Sequence, residues 1–212
     1  MITVFDLDGV LSRADTMATL VFTRLRARPW LVFPIGVLSA VAALATPEGE
    51  LRPRCNRAVV HLALAGMSEE GYRRLAERTA RRLAARRDNT TPEIVDAARA
   101  ASDAGACLVT TATERFLAQR FLAAIGVHGA EVHASEFVFS PAGPRFRTHN
   151  VGRRKAFAFR AAHPTGRIGR FYTDSASDLP LAELARDVVL VGPSRRSATA
   201  FERTGIRFRR VD

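Results

Sequence analysis

Two acidic side chains follow the first apolar segment of the sequence. Asp6 and Asp8 come directly after residues 2–5, a short β-branched run that predicts a buried strand. Carboxylates at i and i+2 leave such a strand on the same side, and Gly9 lets the backbone turn sharply behind them. Because neighbouring unpaired carboxylates repel each other, the pair predicts a hard divalent cation with oxygen ligands, Mg²⁺. Two acids in an ordinary loop or helix cap are the alternative for this pair taken alone.

Hydroxyl groups follow the second apolar segment, residues 107–110. Thr111 and Ala112 lie where a helix is expected to begin, so that a hydroxyl and backbone N–H groups can bind an anion there. A plain helix N-cap by Thr113 is the alternative, and both interpretations can hold at once.

The only lysine of the chain lies at the start of a later predicted helix. The sequence has 32 basic residues, of which Lys155 alone is not arginine. An ammonium is a compact point charge whereas a guanidinium is a planar fork, so Lys155 predicts a contact with a phosphoryl oxygen. The adjacent Arg153 and Arg154 are interpreted as a solvated helix start.

A last acidic cluster follows the apolar segment 168–172. Asp174 lies at the predicted strand end, where it can ligate a metal, and Asp178 can hold Lys155. Helix capping by Ser177 or Asp178 is the alternative. Because parallel sheets place their ligands at the carboxyl ends of their strands, we expect these four loops to converge.

The elements that position these loops alternate between strand and helix. Strands are predicted at 107–110, 132–134, 168–172 and 188–191, a hairpin at 137–146, and helices at 114–125, 152–162 and 179–185. This alternation predicts an α/β fold with a Rossmann-like, mostly parallel sheet and helices on both faces. Residues 12–88 have a helical period instead, including an amphipathic helix at 68–87, and predict an inserted all-helical cap. The core domain would then comprise residues 1–11 and 89–212.

One segment of the predicted cap, residues 29–47, is apolar and uncharged. It is short for a bilayer span of ~20 residues, and a proline and a glycine interrupt it. A buried helical hairpin is the preferred interpretation. Peripheral membrane contact through the cap is the alternative, because Arg24, Arg26 and Arg28 lie just before the segment.

Composition restricts the classes of protein that remain. The 212 residues are 47% hydrophobic and 25% charged, which excludes a disordered or low-complexity chain. Two cysteines far apart exclude a disulfide framework and offer no zinc site, and the close pair His128 and His133 is interpreted as incidental. The N-terminal residues do not form a signal peptide, so a cytoplasmic location is expected.

The net charge of +11 favours anionic partners or substrates. The arginines are nevertheless spread along the chain and no nucleic-acid-binding motif is visible, so no nucleic-acid partner is expected.

In their order and in their strand-to-helix context, these residues resemble the haloacid dehalogenase superfamily. That family is defined by Asp-x-Asp, then Ser or Thr, then Lys, then Asp-x-x-x-Asp. The resemblance spans nearly the whole chain through Asp6, Asp8, Thr111, Lys155, Asp174 and Asp178. The position of the cap, between the first two motifs, is similar to the branch that contains phosphoserine phosphatases. Val10 departs from the threonine usual in the family, but that side chain is not a catalytic group.

The resemblance implies a Mg²⁺-dependent phosphatase that hydrolyses a phosphate monoester through an aspartyl-phosphate. Asp6 would be the nucleophile, and Asp8 the general acid and then the general base. The Asp6 and Asp174 carboxylates and the Asp8 backbone carbonyl would hold Mg²⁺. Dehalogenases of the superfamily lack the second acid, so Asp8 indicates phosphatase chemistry.

The other matched positions take supporting roles under the same resemblance. The Thr111 hydroxyl and the Ala112 N–H would bind phosphoryl oxygens, and Lys155 would balance their charge. Asp178 would orient Lys155, and Ser175 would support the metal ligands.

The sequence leaves the substrate and the oligomeric state open. Two classes of substrate are compatible with the sequence: a small phosphorylated metabolite, and a lipid or prenyl phosphate. Asp15 lies where phosphoserine phosphatases hold an acid for the substrate amino group, although it can equally cap the next helix. A non-catalytic module of the same fold, binding anions or nucleic acid, is the alternative function.

Overall fold

The computed structural model describes residues 1–44 and 51–211. Its strands are β1 (Ile2–Asp6), β2 (Cys107–Glu114), β3 (Glu131–Ser140), β4 (Gly143–Thr148), β5 (Ile168–Thr173), β6 (Ala185–Val191) and β7 (Phe208–Val211). Within the described residues they form one sheet in the order β4-β3-β2-β1-β5-β6-β7. Every pair is parallel except the β3–β4 hairpin. The predicted α/β fold with a mostly parallel sheet is therefore confirmed.

Helices cover the sheet and fill the long connection between β1 and β2. That connection contains α1 (Thr16–Leu25), α2 (Val32–Leu44), α3 (Leu51–Ala63), α4 (Glu69–Ala84) and α5 (Pro92–Asp103). The remaining helices are α6 (Arg115–Ala124), α7 (Arg153–Ala162), α8 (Leu179–Ala182) and α9 (Arg195–Thr204). A short 3₁₀ turn, Pro29–Leu31, joins α1 to α2.

The central strand β1 is buried on both faces. Because successive side chains of a strand point in opposite directions, Val4 and Phe5 enter different cores, and neither is exposed. Phe5 belongs to the core built with α1, α4, α5 and α6 and stacks on Tyr172, with ring centroids 4.6 Å apart. Val4 belongs to the smaller core built with α7, α8 and α9. A continuous apolar strand is what a sheet with helices on both faces requires.

The amphipathic segment predicted at 68–87 forms α4. Ser68 caps the N-terminus of α4 by accepting a hydrogen bond from the Gly71 N–H. The apolar side of α4 packs on α6. At this contact the buried Tyr72 hydroxyl donates a 2.5 Å hydrogen bond to Glu114 Oε2. The same carboxylate accepts from the Leu117 N–H and caps α6. The buried Glu114 carboxylate thus connects the helical insertion to the sheet layer. The division into core and cap domains remains our proposal.

Several predicted boundaries were wrong. The strand predicted at 132–134 is the start of the longer β3, which continues past its pairing with β2 to form the hairpin with β4. The apolar alternation does not stop where the pairing partner changes. The helix predicted at 179–185 ends at Ala182, since Ala185 already pairs with Ile168 in the sheet. The sequence reading did not identify α5, α9 or β7.

The apolar segment predicted to be a buried hairpin is mostly exposed. In α2 only Ile35 and Ala42 are buried, whereas Phe33 is 81% and Leu44 is 89% exposed. The helix α2 packs on α3 along a narrow stripe, so most of its surface is left exposed. Apolar composition alone does not indicate which face of a helix packs against another element. Residues 45–47 of this prediction lie outside the described residues. A search of the described helices finds none long and apolar enough to cross a bilayer.

Replacing Tyr72 by Phe should lower the free energy of unfolding by about 1–3 kcal/mol, because the buried Glu114 carboxylate loses a donor that no water can replace. Urea denaturation measures the change. Tyr172→Phe is the matched control, since that hydroxyl makes no hydrogen bond within the described residues. Equal losses in the two variants would show that the Tyr72–Glu114 bond contributes nothing specific.

Candidate active site

The carboxyl ends of the central strands bring the predicted loops together. In the sheet register Asp6 lies beside Thr110 of β2, and Phe5 lies beside Tyr172 of β5. The loops that follow β1, β2 and β5 therefore leave the same edge of the sheet. This is the edge at which open α/β sheets bind their ligands.

Lys155 lies in the first turns of α7 and is buried between two acids. Its Nζ is 2.9 Å from Asp6 Oδ2 and 2.9 Å from Asp178 Oδ1. Asp178 is itself held by the Thr173 hydroxyl, which donates to Oδ2 at 2.9 Å. Burial alone would lower the pKa of Lys155, but Asp178 and Asp6 raise it above its ordinary value. The lysine is therefore a fixed ammonium that faces both carboxylates.

Asp8 is oriented by a set of hydrogen bonds that the sequence reading missed. The Thr16 N–H donates to Oδ1 at 2.8 Å, and the Thr113 hydroxyl donates to Oδ2 at 2.7 Å. The two threonine hydroxyls are themselves 2.8 Å apart. Burial, with a smaller contribution from Asp15, raises the pKa of Asp8 to about 7. Thr113 is therefore a partner of Asp8, and the suggestion that it caps α6 was wrong, because Glu114 does so.

The second half of β2 is held by an asparagine. Asn150 Nδ2 donates to Thr110 Oγ1, the Thr111 carbonyl and the His133 carbonyl, at 3.2, 3.2 and 2.9 Å. The Thr111 hydroxyl accepts a 3.0 Å bond from the Thr113 N–H. Asn150 is buried and lies just before α7, and nothing in its sequence spacing marks it as a partner of β2 residues about 40 positions earlier.

Asp174 packs directly against the turn after β1. A Cβ placed on Gly9, whose φ is +82°, would lie 2.4 Å from Asp174 Cγ, so only glycine fits. Burial, and then Asp178, raise the pKa of Asp174 to about 6. The Ser175 hydroxyl lies 3.0 Å from that of Ser177, and its predicted support of the metal ligands stays a prediction.

The acidic residues of this edge outnumber its buried ammonium. Among the described residues, Lys155 forms ion pairs with Asp6 and Asp178, and its charge also acts on Asp174. Asp8 follows Asp6 by two residues and adds a fourth carboxyl group to this edge. Burial raises the pKa of Asp6 despite the nearby ammonium. An additional cation would relieve this excess of negative charge, and a donor set of carboxylate and carbonyl oxygens is the kind that Mg²⁺ prefers.

A largely apolar cavity of about 730 Å³ opens above Asp8. Its floor includes Ala112 and Thr113, and its walls come from the helical insertion and the β3–β4 hairpin. The wall residues include Val21, Leu25, Ile35, Val59, Phe146 and His149. Asp15, which also lines the cavity, caps α1 by accepting a 2.7 Å bond from the Ala18 N–H. The cavity thus places an acid and small polar groups beneath a hydrophobic roof.

The sequence matches the model of the haloacid dehalogenase-like hydrolase family over residues 3–183. The resemblance inferred from the motifs is thereby confirmed. A search of curated proteins finds no significant match.

Solved structures share this fold at low sequence identity. A protein of unknown function from Bordetella pertussis Tohama I is 20% identical, with a TM-score of 0.70 over 100% of this chain and 97% of that chain. A substrate-bound phosphoserine phosphatase is 12% identical, with a TM-score of 0.64 over 94% and 89% of the two chains. Cytosolic 5'-nucleotidase IIIB bound to cytidine is 10% identical, with a TM-score of 0.62 over 100% and 80%.

Replacing Gly9 by Ala should weaken the Mg²⁺ binding that we propose for this edge by roughly tenfold or more, the scale of changes that misplace a ligand. The reason is that the new methyl group displaces the Asp174 carboxyl. Calorimetric titration with Mg²⁺ measures the effect. Gly105→Ala is the control, since its φ is +64° and nothing lies within 4 Å of the added Cβ. Both variants carry backbone strain, so a similar loss of Mg²⁺ affinity in both would exclude a specific role for the Gly9–Asp174 contact.

Proposed function

The chain belongs to the haloacid dehalogenase-like hydrolase family, and we propose that it is a Mg²⁺-dependent phosphatase acting on a phosphate monoester. The observation that carries the proposal is the convergence of Asp6, Lys155 and Asp178 beside an independently oriented Asp8. A buried nucleophile, a fixed positive charge and a second acid are the groups that phosphoryl transfer through a covalent intermediate needs.

In the first step a carboxylate oxygen of Asp6 would attack phosphorus while the bond to the ester oxygen breaks. Lys155, 2.9 Å from Asp6, would stabilise the negative charge on the phosphoryl oxygens. Asp8 would give its proton to the departing ester oxygen. The products of this step are the alcohol and an aspartyl-phosphate on Asp6.

In the second step Asp8, now a carboxylate, would take a proton from the attacking water. The bond between phosphorus and Asp6 then breaks, which releases inorganic phosphate and restores the nucleophile. The hydrogen bonds from Thr16 and Thr113 support this assignment, because they fix both carboxylate oxygens of Asp8 at the floor of the cavity.

Asp6, Asp174 and the Asp8 backbone carbonyl would hold Mg²⁺ at this edge, and the ion would supply charge neutralisation between an anionic nucleophile and an anionic substrate. The close packing of Asp174 against Gly9 supports this set, since it keeps the carboxyl next to the Asp-x-Asp loop. The Thr111 hydroxyl and the Ala112 N–H are proposed to bind phosphoryl oxygens.

The cavity favours a substrate with an apolar body, such as a lipid or prenyl phosphate, over a small polar metabolite. Its lining is mostly aliphatic and aromatic, and Arg26 is the one Lys or Arg side chain among its described lining residues. Asp15, the counterpart expected for an amino group, is already engaged as a helix cap. Recognition of the carboxylate and amino group of phosphoserine therefore has little support here.

The exposed face of α2 supports peripheral membrane contact through the cap. Phe33, Val37, Val41 and Leu44 follow a helical spacing of three or four residues and are 39% to 89% exposed. A contiguous exposed apolar stripe of this kind marks an interaction surface. The basic residues Arg24, Arg26 and Arg28 precede α2 in the chain, and of these Arg26 is exposed, which suits an anionic lipid surface. The opposite side of α2 lines the cavity through Ile35, so a membrane-bound substrate would enter beside Asp8. The protein would then act from the cytoplasm at a membrane surface.

A substrate screen tests the proposed activity. Phosphate release should require Mg²⁺ and should be faster with long-chain alkyl or prenyl monophosphates than with phosphoserine or nucleotides. Salt-sensitive retention on nucleic acid without any Mg²⁺-dependent phosphate release would instead favour the non-catalytic alternative.

Replacing Asp6 by Asn should abolish turnover, since an amide oxygen is a poor nucleophile. Asp8→Asn should keep the covalent chemistry but slow protonation and water attack by roughly 10²–10⁴-fold. Steady-state rates of phosphate release distinguish the two. Near-normal activity of Asp6→Asn would exclude covalent catalysis from that residue.

Replacing Lys155 by Arg should lower kcat at least ~10-fold, about 1.4 kcal/mol of transition-state stabilisation. The planar guanidinium does not fit the small buried space that Nζ occupies between Asp6 and Asp178. Arg153→Lys and Arg154→Lys are the controls, because both side chains are exposed. Wild-type kcat in Lys155→Arg would refute the assigned contact with the phosphoryl group.

Replacing Phe33 and Val37 together by Glu should reduce binding to vesicles that contain phosphatidylglycerol by tenfold or more, since two charges enter the apolar stripe. Cosedimentation measures bound protein, and Phe157→Glu is the control because that exposed side chain lies on α7, outside the stripe. Unchanged vesicle binding, or a dimer that dissociates in the double variant without any effect on vesicles, would contradict membrane docking.

A further inference from the structure

Three potential metal ligands meet where the start of β3 approaches the end of α7, outside the proposed catalytic groups. Glu131 and His133 are two residues apart on β3 and therefore point to the same face of the sheet. His163 lies at the end of α7, where its ring packs on Phe159 with centroids 5.1 Å apart. The pair His128 and His133 was interpreted from the sequence as incidental, and the cluster includes His133 and His163 but not His128.

One carboxylate lies between the two imidazole rings. Glu131 Oε1 is 2.7 Å from His133 Nε2, and Glu131 Oε2 is 2.9 Å from His163 Nε2. The three ligand atoms all lie within 4.8 Å of one another. The side chains of His133 and His163 are 13% and 22% exposed, whereas that of Glu131 is 43% exposed. The cluster is thus mostly covered but reachable from solvent through the carboxylate.

Hydrogen bonding accounts for only part of this arrangement. The contact between His133 and Glu131 is an ordinary hydrogen bond. His163 Nε2 is close to Glu131 but lacks hydrogen-bond geometry, and it is buried with no hydrogen-bond partner among the described residues. A buried polar nitrogen that makes no hydrogen bond is unfavourable, so such a group calls for a ligand.

The position of His163 is fixed by its surroundings. The backbone N–H of His163 donates to the Phe159 carbonyl at 2.8 Å. The turn at Gly166 packs tightly against His163, since a Cβ on Gly166 would lie 2.5 Å from His163 Cβ. The unpartnered nitrogen is therefore held toward Glu131 by the end of α7 and the turn that follows.

We propose that Glu131, His133 and His163 bind a divalent transition metal, with Zn²⁺ as the best match. Two imidazole nitrogens and one carboxylate are a known ligand set for zinc, with water in the fourth position. Bonds of 2.0–2.1 Å in a tetrahedron separate ligand atoms by about 3.4 Å, which falls between the short Glu131–His133 contact and the 4.8 Å limit of the cluster. The partly exposed carboxylate leaves room for the water.

This site differs in chemistry from the acidic cluster around Asp6. Mg²⁺ takes oxygen ligands and binds imidazole poorly, whereas a borderline-soft ion such as Zn²⁺ prefers nitrogen. Bound at Glu131, the ion would tie the end of α7 to β3. Because α7 also carries Lys155 near its start, the site would stabilise the helix that completes the catalytic edge.

Calorimetry and thermal unfolding with Zn²⁺ test the proposal in the presence of excess Mg²⁺. The wild-type chain should bind Zn²⁺ and unfold at a higher temperature with it. Both effects should be lost in His163→Ala and in His133→Ala, with affinity lowered at least tenfold. They should persist in His128→Ala, which removes an exposed histidine outside the cluster, and in Asp174→Asn, which removes the acidic cluster's ligand.

A more conservative variant and a spectroscopic probe guard against misfolding. Glu131→Gln keeps the size of the side chain and should also weaken Zn²⁺ binding. Co²⁺ bound to the wild type should give the visible absorption of a tetrahedral site, and His163→Ala should abolish it. Zn²⁺ affinity that is unchanged in the histidine variants, or that disappears only in Asp174→Asn, would overturn the proposal.

Discussion

The ion pairs of Lys155 are the interaction on which the proposed active site depends. Its Nζ contacts Asp6 at the end of β1 and Asp178 in the segment after β5, while the lysine itself comes from α7. Three elements far apart in sequence are thus tied at one buried point. Breaking a buried ion pair from one side leaves an uncompensated charge, so this contact fixes the spacing of the two segments. The two buried carboxylates are further stabilised by hydrogen bonds. The Thr173 hydroxyl donates to Asp178, and the Leu7 N–H donates to Asp6 at 2.8 Å.

The packing of β1 makes this arrangement rigid. Val4 and Phe5 are fully buried in two separate cores, so the strand that delivers Asp6 and Asp8 is clamped on both faces. Above this fixed edge, the helical insertion is held to the sheet layer by the buried bond between Tyr72 and Glu114. The same insertion supplies the apolar wall of the cavity. The rigidly held polar groups at the sheet edge and the apolar cavity wall above them are consistent with the proposed hydrolysis of a phosphate ester that has an apolar body.

The sequence predicted those parts of the molecule that depend on local pattern. Alternating apolar segments predicted the α/β fold, and the types and spacing of Asp6, Asp8, Lys155 and Asp174 singled out residues that the structure gathers at one edge. The partners that orient them were not predictable in this way. Thr113 contacts Asp8, and Asn150 contacts Thr111 of β2, only because the fold brings them together, and such contacts leave no periodic pattern in the sequence. The exposure of α2 was likewise missed, because hydrophobicity indicates that a helix can be buried but not that a partner is present.

Covalent phosphorylation of Asp6 is the central claim, and trapping the intermediate tests it most directly. The enzyme would be mixed with Mg²⁺ and p-nitrophenyl phosphate, quenched in acid within one turnover, and reduced with borohydride, which converts an acyl phosphate to an alcohol. Peptide mass spectrometry should then find homoserine in place of Asp6 and unmodified aspartate at position 8. Reduction at Asp8 or Asp174 instead, or steady turnover with no trapped residue under the same conditions, would contradict the account.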